Sequence, residues 1–460
     1  MTSTQLTPRL ADIVKAYDVR GLVGSQLTPA VAHALGWAFA RRMAAECGAR
    51  AVVVAHDMRD SGPELSAAFS RGVVEAGLDV RSAGLASTDM LYFASGSMHL
   101  PGAVFTASHN PAAYNGIKLC HPGAGPISLS TGLAEIRDEA QGLLDGDVPA
   151  PRGGGVVSPV ELLPTYARRM HDLVDLRGIR PLHVVVDAGN GMGGLTVPAV
   201  LDGLVRVDPL YFELDGTFPN HEANPLEPAN LVDLQRRVVE VGADVGLAFD
   251  GDADRCFVVD EGGAAVSPSA ITALVALRSL ARQPGGTILY NLISSRAVPE
   301  LVTRAGGVAV RTRVGHSFIK AEMARTGAVF GGEHSAHYYF ADFYKADTGM
   351  LAALHVLAAL GEQEGSLSEL VASYAPYAAS GEINSTVADV QAVLVRLRMW
   401  ARSRGGVVDE LDGVTIDLGA GRWFNVRASN TEPLLRLNVE APDTGDMEAL
   451  RDEVLGIIRG

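Results

Sequence analysis

Short β-branched runs that end in Gly, Asp or Asn alternate with Ala- and Leu-rich stretches through most of the chain, and this alternation restricts the fold to the α/β class. Strands are expected at Ala51–Ala55, Ala103–Thr106, Leu182–Val186, Val245–Phe249, Thr287–Tyr290 and Ala328–Phe330, with helices such as Thr28–Cys47, Gly62–Ala76 and Asn230–Val241 between them. A chain of 460 residues exceeds what one hydrophobic core serves, so three or four compact domains are expected. The Pro- and Gly-rich segment Gly146–Pro159 reads as a linker and places a boundary near residue 155. After about residue 370 the pattern changes to a helix around Val387–Arg404, strands around Gly413–Asp417, Trp423–Ala428 and Leu434–Glu440, and a closing helix. This tail reads as a small separate α+β domain.

Composition narrows the function classes. Hydrophobic residues make up 47% and charged residues 20%, a globular balance. The longest apolar run, Met350–Leu360, falls short of a bilayer span and reads as a buried helix, so no membrane association is expected. The polar N-terminus Met1–Arg9 lacks the pattern of a secretory signal, and Cys47, Cys120 and Cys256 are too few and scattered for a disulfide framework. A cytoplasmic location is expected on both grounds. The formal charge, 38 − 53 = −15, argues against nucleic acid as a partner. A small anionic substrate remains compatible with it, because a cleft lined by a few Arg and Lys focuses positive potential locally.

Four stretches carry chemistry. In Val104-Phe-Thr-Ala-Ser-His-Asn-Pro111 a strand runs into a sharp polar turn that presents Ser108. A turn serine, an acyl-hydrolase nucleophile and a phosphate carrier compete here. The hydrolase reading lacks the flanking glycines, and in an extended segment His109 points away from Ser108. In Phe249-Asp-Gly-Asp-Ala-Asp-Arg255, carboxylates at i, i+2 and i+4 fall on one side of an extended segment, so Asp250, Asp252 and Asp254 can converge on one hard cation. An EF-hand is excluded because Arg255 stands where its loop needs Gly. In Gly331-Gly-Glu-His-Ser-Ala-His337, Glu333 and Ser335 share one face if the segment is extended, a carboxylate and a hydroxyl suited to a pair of sugar hydroxyls. In Arg427-Ala-Ser-Asn-Thr-Glu-Pro433, a guanidinium, two hydroxyls and an amide open from a strand end, as a phosphate cradle or as capping groups.

Taken together and in this order, TASHNP, DGDADR, GEHSAH and RASNTEP resemble the four signature loops of the α-D-phosphohexomutase family. Tyr17-Asp-Val-Arg-Gly21, Asn115-Gly-Ile-Lys118, Asp187-Ala-Gly-Asn-Gly191 and Arg313-Val-Gly-His316 extend the resemblance across the chain. It implies four domains around a central cleft, three related α/β units with mixed sheets and a C-terminal α+β domain resembling the TATA-binding protein. The expected divisions are 1–154 with the phosphoserine loop, 155–256 with the metal loop, 257–369 with the sugar loop and 370–460 with the phosphate loop. By the same resemblance Ser108 holds the catalytic phosphate, Asp250, Asp252 and Asp254 hold Mg²⁺ together with phospho-Ser108, and Lys118 and His316 occupy positions of proton transfer. Arg20, Arg255 and His109 are implied beside the phosphoryl group. Tyr17, Glu333, Ser335 and His337 are implied at the sugar, and Arg427, Ser429, Asn430 and Thr431 at the phosphate that is not transferred.

The implied reaction passes phosphate from Ser108 to a hexose monophosphate, giving a hexose 1,6-bisphosphate that turns over and returns its other phosphate. GEHSAH resembles the phosphomannomutase and phosphomannomutase/phosphoglucomutase members, so mannose phosphates are the expected substrates, with glucose phosphates second. A dedicated phosphoglucomutase or phosphoglucosamine mutase is the rival within the class. A metal-dependent sugar phosphatase and a non-catalytic sugar-phosphate-binding relative are the rivals outside it.

Overall fold

A computed structural model of the chain describes residues 9–147, 153–428 and 434–460, with the side chains of residues 316 and 317 left undescribed. Two compact units emerge, one formed by residues 1–266 with 335–367, the other by 267–334 with 368–460.

The first unit contains two mixed sheets. In the larger one the strand order is Val19–Leu22, Tyr114–His121, Gly102–Phe105, Ala51–His56, Asp79–Leu85 and Val157–Pro159. The strand Ala51–His56 runs parallel to both neighbours, whereas Tyr114–His121 is antiparallel to both of its own. Strands Ala51–His56 and Gly102–Phe105 are almost wholly buried, as their continuous apolar sequence requires of a central strand covered on both faces. The helix Pro29–Cys47 starts where Thr28 accepts the Val31 N–H and Pro29 fixes the first turn, and it stops at Gly48 in a left-handed conformation. Phe39 packs on Phe69 and Phe69 on the edge of Phe105, so the strand that carries the serine loop is anchored in the aromatic core.

In the second sheet the order is Ala265–Val266, Cys256–Asp260, Val245–Phe249, His183–Asp187 and Arg206–Leu210. Two of the expected divisions are corrected here. Val157–Pro159 pairs in parallel with Val80–Ser82, so the first sheet runs past residue 154 into the supposed linker, and Cys256–Asp260 pairs with Val245–Phe249, so the second sheet runs past residue 256. Backbone pairing overrode the Pro and Gly content in the first case, because Pro159 sits at the end of an edge strand where no donor is missed. The unit is completed by the hairpin of Tyr338–Phe340 with Ala346–Asp347 and by the buried helix Gly349–Gly361.

In the second unit, Thr287–Asn291 runs parallel to Val308–Thr312 and to Phe330–Gly332. Its C-terminal part is an antiparallel sheet in the order Ala378–Thr386, Leu434–Ala441, Trp423–Ala428, Val414–Asp417 and Val407–Asp409. The helices Val390–Ser403 and Thr444–Arg459 bury Leu397, Ala401, Val454 and Ile458 against it. No helix among the described residues is long and apolar enough to cross a membrane.

Candidate active site

The serine loop leaves the strand Gly102–Phe105 and turns at Ser108, whose φ of 50° is left-handed. That turn corrects the expectation for His109: the segment is not extended, and His109 Nδ1 lies 3.1 Å from Ser108 Oγ. Ser108 Oγ also donates to Asp250 Oδ2 at 2.8 Å, and its own N–H is held by Thr106 Oγ1 at 2.9 Å. One buried guanidinium braces the whole turn. Arg59 donates to the carbonyls of Ser108 (2.9 Å), Asn110 (2.6 Å), Pro111 (3.0 Å) and Tyr114 (2.8 Å). Sequence reasoning missed Arg59, which sits in an ordinary Arg-Asp-Ser-Gly turn and acquires its role only through tertiary closure.

The aspartate loop follows the buried strand Val245–Phe249. The three carboxylates do converge, but through a turn rather than along an extended segment: Ala253 has φ 60° and its N–H bonds to the Asp250 carbonyl. The loop approaches the serine loop so closely that a Cβ on Gly251 would stand 2.4 Å from the Ser108 carbonyl oxygen, which explains the glycine. Gly349 is similarly required, since its Cβ would stand 2.6 Å from the Arg255 carbonyl. Asp250, Asp252 and Asp254 are all but inaccessible to solvent. Buried carboxylates need compensation. Lys118 Nζ supplies it at 2.7 Å from Asp252 and 2.5 Å from Asp254, and Arg255 Nε at 2.9 Å from Asp250.

The charges follow from these partners. Burial raises the Asp250 carboxyl to about 7 despite the opposing pull of Arg255. Asp252 is also pushed up by burial, but Lys118 and Thr88 more than offset this and hold it below the usual carboxylate range. Burial lowers the Lys118 ammonium, and Asp252 and Asp254 overcome it, leaving Lys118 firmly cationic. Burial, then Arg255 and Arg20, push His109 well below its ordinary value. A neutral ring whose Nδ1 accepts from Arg255 Nη2 at 2.6 Å carries its proton on Nε2.

The residues present fit a hard cation. Ligand oxygens of Asp250, Asp252 and Asp254 lie within 4.8 Å of one another, and Oδ1 of both Asp252 and Asp254 is buried with no hydrogen-bond partner among the described residues. An all-oxygen anionic set of this kind suits a divalent ion such as Mg²⁺.

Arg20 donates to the Ala107 carbonyl at 3.4 Å, to the Asn110 side chain and to Asp18 at 2.8 Å. Tyr17 lies half-buried just before it. His337 Nε2 stands 3.7 Å from Asp254 Oδ1, and its Nδ1 shares a 2.9 Å hydrogen bond with Ser335 Oγ. Ser108, His109, Arg20, Lys118, Arg255, the three aspartates, Ser335 and His337 therefore belong to the first unit. The sugar segment itself turns at Ala336, with φ 63°, so the extended geometry expected for it is corrected as well.

In the second unit, buried Glu333 accepts the Gly315 N–H at 3.0 Å, and His316 is the first residue of the helix His316–Thr326. Arg427 lies near the end of its strand, directly opposite Arg436, and both meet Glu382. Glu382 and Arg436 were not singled out from the sequence; only their strand register reveals them. Ser429, Asn430 and Thr431 lie outside the described residues.

Four family models, the phosphoglucomutase/phosphomannomutase alpha/beta/alpha domains I, II and III and the C-terminal domain, match residues 11–143, 164–263, 267–377 and 382–457. The chain belongs to the phosphoglucomutase/phosphomannomutase family. Among curated relatives, a phosphomannomutase of Salmonella montevideo is 37% identical over 455 residues, covering 96% of this chain and 98% of that protein. The phosphomannomutase/phosphoglucomutase of Pseudomonas aeruginosa is 36% identical over 98% of this chain and 96% of its own length. A crystal structure of a phosphoglucomutase/phosphomannomutase family protein from Burkholderia thailandensis is 32% identical, with a TM-score of 0.86 and 97% of each chain covered. The family membership accounts for the four-domain composition, and the mixed α/β sheets and the C-terminal α+β part agree with the expected fold class.

Proposed function

We propose that this member of the family is a phosphomannomutase that interconverts mannose 6-phosphate and mannose 1-phosphate and also accepts glucose phosphates. The observation that carries the reading is the setting of Ser108 Oγ, held at 2.8 Å from Asp250 and 3.1 Å from His109 in a pocket of paired charge. The names of the full-length relatives and the GEHSAH loop support mannose as the sugar.

In this reading Ser108 carries the phosphate, which passes to the free hydroxyl of a hexose monophosphate and is replaced by the other phosphate of the resulting hexose 1,6-bisphosphate. Phosphoryl transfer asks a protein mainly for positioning and charge stabilisation. Asp250, Asp252 and Asp254 would hold Mg²⁺, which when bound neutralises their charge and that of the transferring oxygens. Arg20, Arg255 and Lys118 supply further cationic groups. Lys118, paired with Asp252 and Asp254, would supply positive charge and occupy a position of proton transfer. Neutral His109, its Nδ1 lone pair already engaged by Arg255, stands 3.1 Å from Ser108 Oγ while the hydroxyl proton goes to Asp250. Glu333, Ser335, His337 and Tyr17 would read the sugar, His316 would serve proton transfer, and Arg427 with Ser429, Asn430 and Thr431 would hold the distal phosphate.

Intact mass of purified protein tests the serine: one phosphate is expected on the wild type and none on Ser108→Ala, with mutase activity lost. Conversion assays on mannose 1-phosphate, glucose 1-phosphate and glucosamine 6-phosphate, primed with a bisphosphate, test the sugar. Turnover of the amino sugar alone would sink the mannose assignment, and release of inorganic phosphate equal to substrate consumed would make the protein a phosphatase.

A further inference from the structure

The strand Trp423–Ala428 places Arg427 directly across from Arg436 on Leu434–Ala441, and like charges in that relation repel. Glu382, on the adjoining strand Ala378–Thr386, lies between them. One carboxylate oxygen is 3.0 Å from Arg427 Nη2 and the other 3.2 Å from Arg436 Nη1. Arg427 is 9% exposed, and its Nε is buried without a hydrogen-bond partner among the described residues, so this guanidinium still has donor capacity to offer. A carboxylate that presents one oxygen to each of two guanidiniums makes the contacts a phosphate would make.

We propose that Glu382 is a resident competitor for the phosphate cradle, a positioning residue that holds Arg427 and Arg436 apart from the sugar's distal phosphate until that phosphate displaces it. The inference rests on the reading of Arg427 as the binder of the phosphate that is not transferred. Its logic is electrostatic. Taken by themselves these two guanidiniums and one carboxylate sum to +1; a dianionic phosphate takes that sum to −1, whereas without Glu382 it would take it to zero. Glu382 thereby limits the grip on either phosphate of a hexose bisphosphate. A limited grip is what an intermediate needs if it must let go, turn over and be held again by its other end. A carboxylate needed only to keep two arginines in place would, once neutralised, let them separate and so weaken phosphate binding rather than tighten it.

Calorimetric titration of the full chain with inorganic phosphate and with mannose 1-phosphate, together with steady-state kinetics, tests the proposal. Glu382→Gln keeps the shape and removes the charge. It is expected to bind both ligands about tenfold tighter, the scale of one charge-assisted contact, and to lower KM and kcat together. Glu382→Asp keeps a charge between the arginines but draws it back, and is expected to fall between Gln and wild type while protecting against loss of the fold. Arg427→Lys is expected to weaken both ligands. If Arg427→Lys weakens binding while folded Glu382→Gln and Glu382→Asp bind no tighter than wild type, the competitor role is wrong and the cradle stands. If Arg427→Lys leaves binding unchanged, the cradle reading fails and the competitor with it. A rise in KM in Glu382→Gln would mark a merely structural residue and overturn the proposal.

Discussion

The two ends of the proposed reaction are built on different principles. Around Ser108 the charged groups are largely buried and tied to fixed partners: four carbonyls on Arg59, two carboxylates on Lys118, one on Arg255. Around Arg427 the partners are more open, with Glu382 and Arg436 each about a quarter accessible and one carboxylate shared between two cations. A group that breaks and forms bonds gains from rigid placement, since misplacement by about 1 Å costs on the order of 100-fold in rate. A group that must bind two different phosphates in turn gains from a contact that can be traded. On the proposed reading, the difference places precision at the phosphoryl group and tolerance at the distal phosphate.

The contrast yields graded predictions. The largest effect is expected for Asp252→Asn. It leaves Lys118 beside a weakened ligand set, and activity at saturating Mg²⁺ should fall by about 10³-fold, the scale of losing one charge-stabilising group, with metal affinity in equilibrium dialysis falling in parallel. Retained metal binding would separate the aspartate loop from the cation.

Next comes Arg59→Lys. Lysine has three donors on a point charge and cannot span four carbonyls, so kcat should drop by about 100-fold with little change in KM, measured by steady-state kinetics. An unchanged kcat would show that the serine loop needs no brace.

The smallest effect concerns stability alone. Asp89 is buried and accepts hydrogen bonds from Ser87, from Tyr166 at 2.6 Å and from Thr348 at 2.7 Å, yet burial still raises its carboxyl to about 6. Its folded value lies above its unfolded value, so the native state binds the extra proton. Stability from this group is therefore full below about pH 4 and declines as pH rises towards 6. In chemical denaturation the decline over that window should be smaller in Asp89→Asn than in wild type, by up to about 3 kcal/mol. Equal slopes would remove Asp89 as the source.

Much of this was legible in the sequence, for reasons that are local. A continuous apolar run followed by polar residues marks where a buried strand ends, and the serine and aspartate loops both lie at such ends. What could not be read depended on backbone angles or on distant partners. The left-handed Ser108 brings His109 back towards the hydroxyl, against the alternation of an extended chain. Arg59 reaches the Ser108 carbonyl from 49 residues away, and Glu382 reaches Arg427 from 45 residues away. Neither distance leaves a periodicity to find. Val157–Pro159 was hidden for the opposite reason, since its Pro- and Gly-rich surroundings imitate a linker.

The contact between Thr348 and Asp89 spans 259 residues of chain. On a ribosome adding about 5–20 residues per second, Asp89 waits tens of seconds for its last hydrogen-bond donor. The segment that supplies it, residues 335–367, joins the first unit only after residues 267–334 of the second unit have been synthesised. The nascent chain therefore cannot complete its first unit in order of synthesis. Any truncation before Thr348 would leave Asp89 buried without that donor and the first unit without its last segment, a state in which chaperone dependence, rather than catalytic competence, becomes the measurable property.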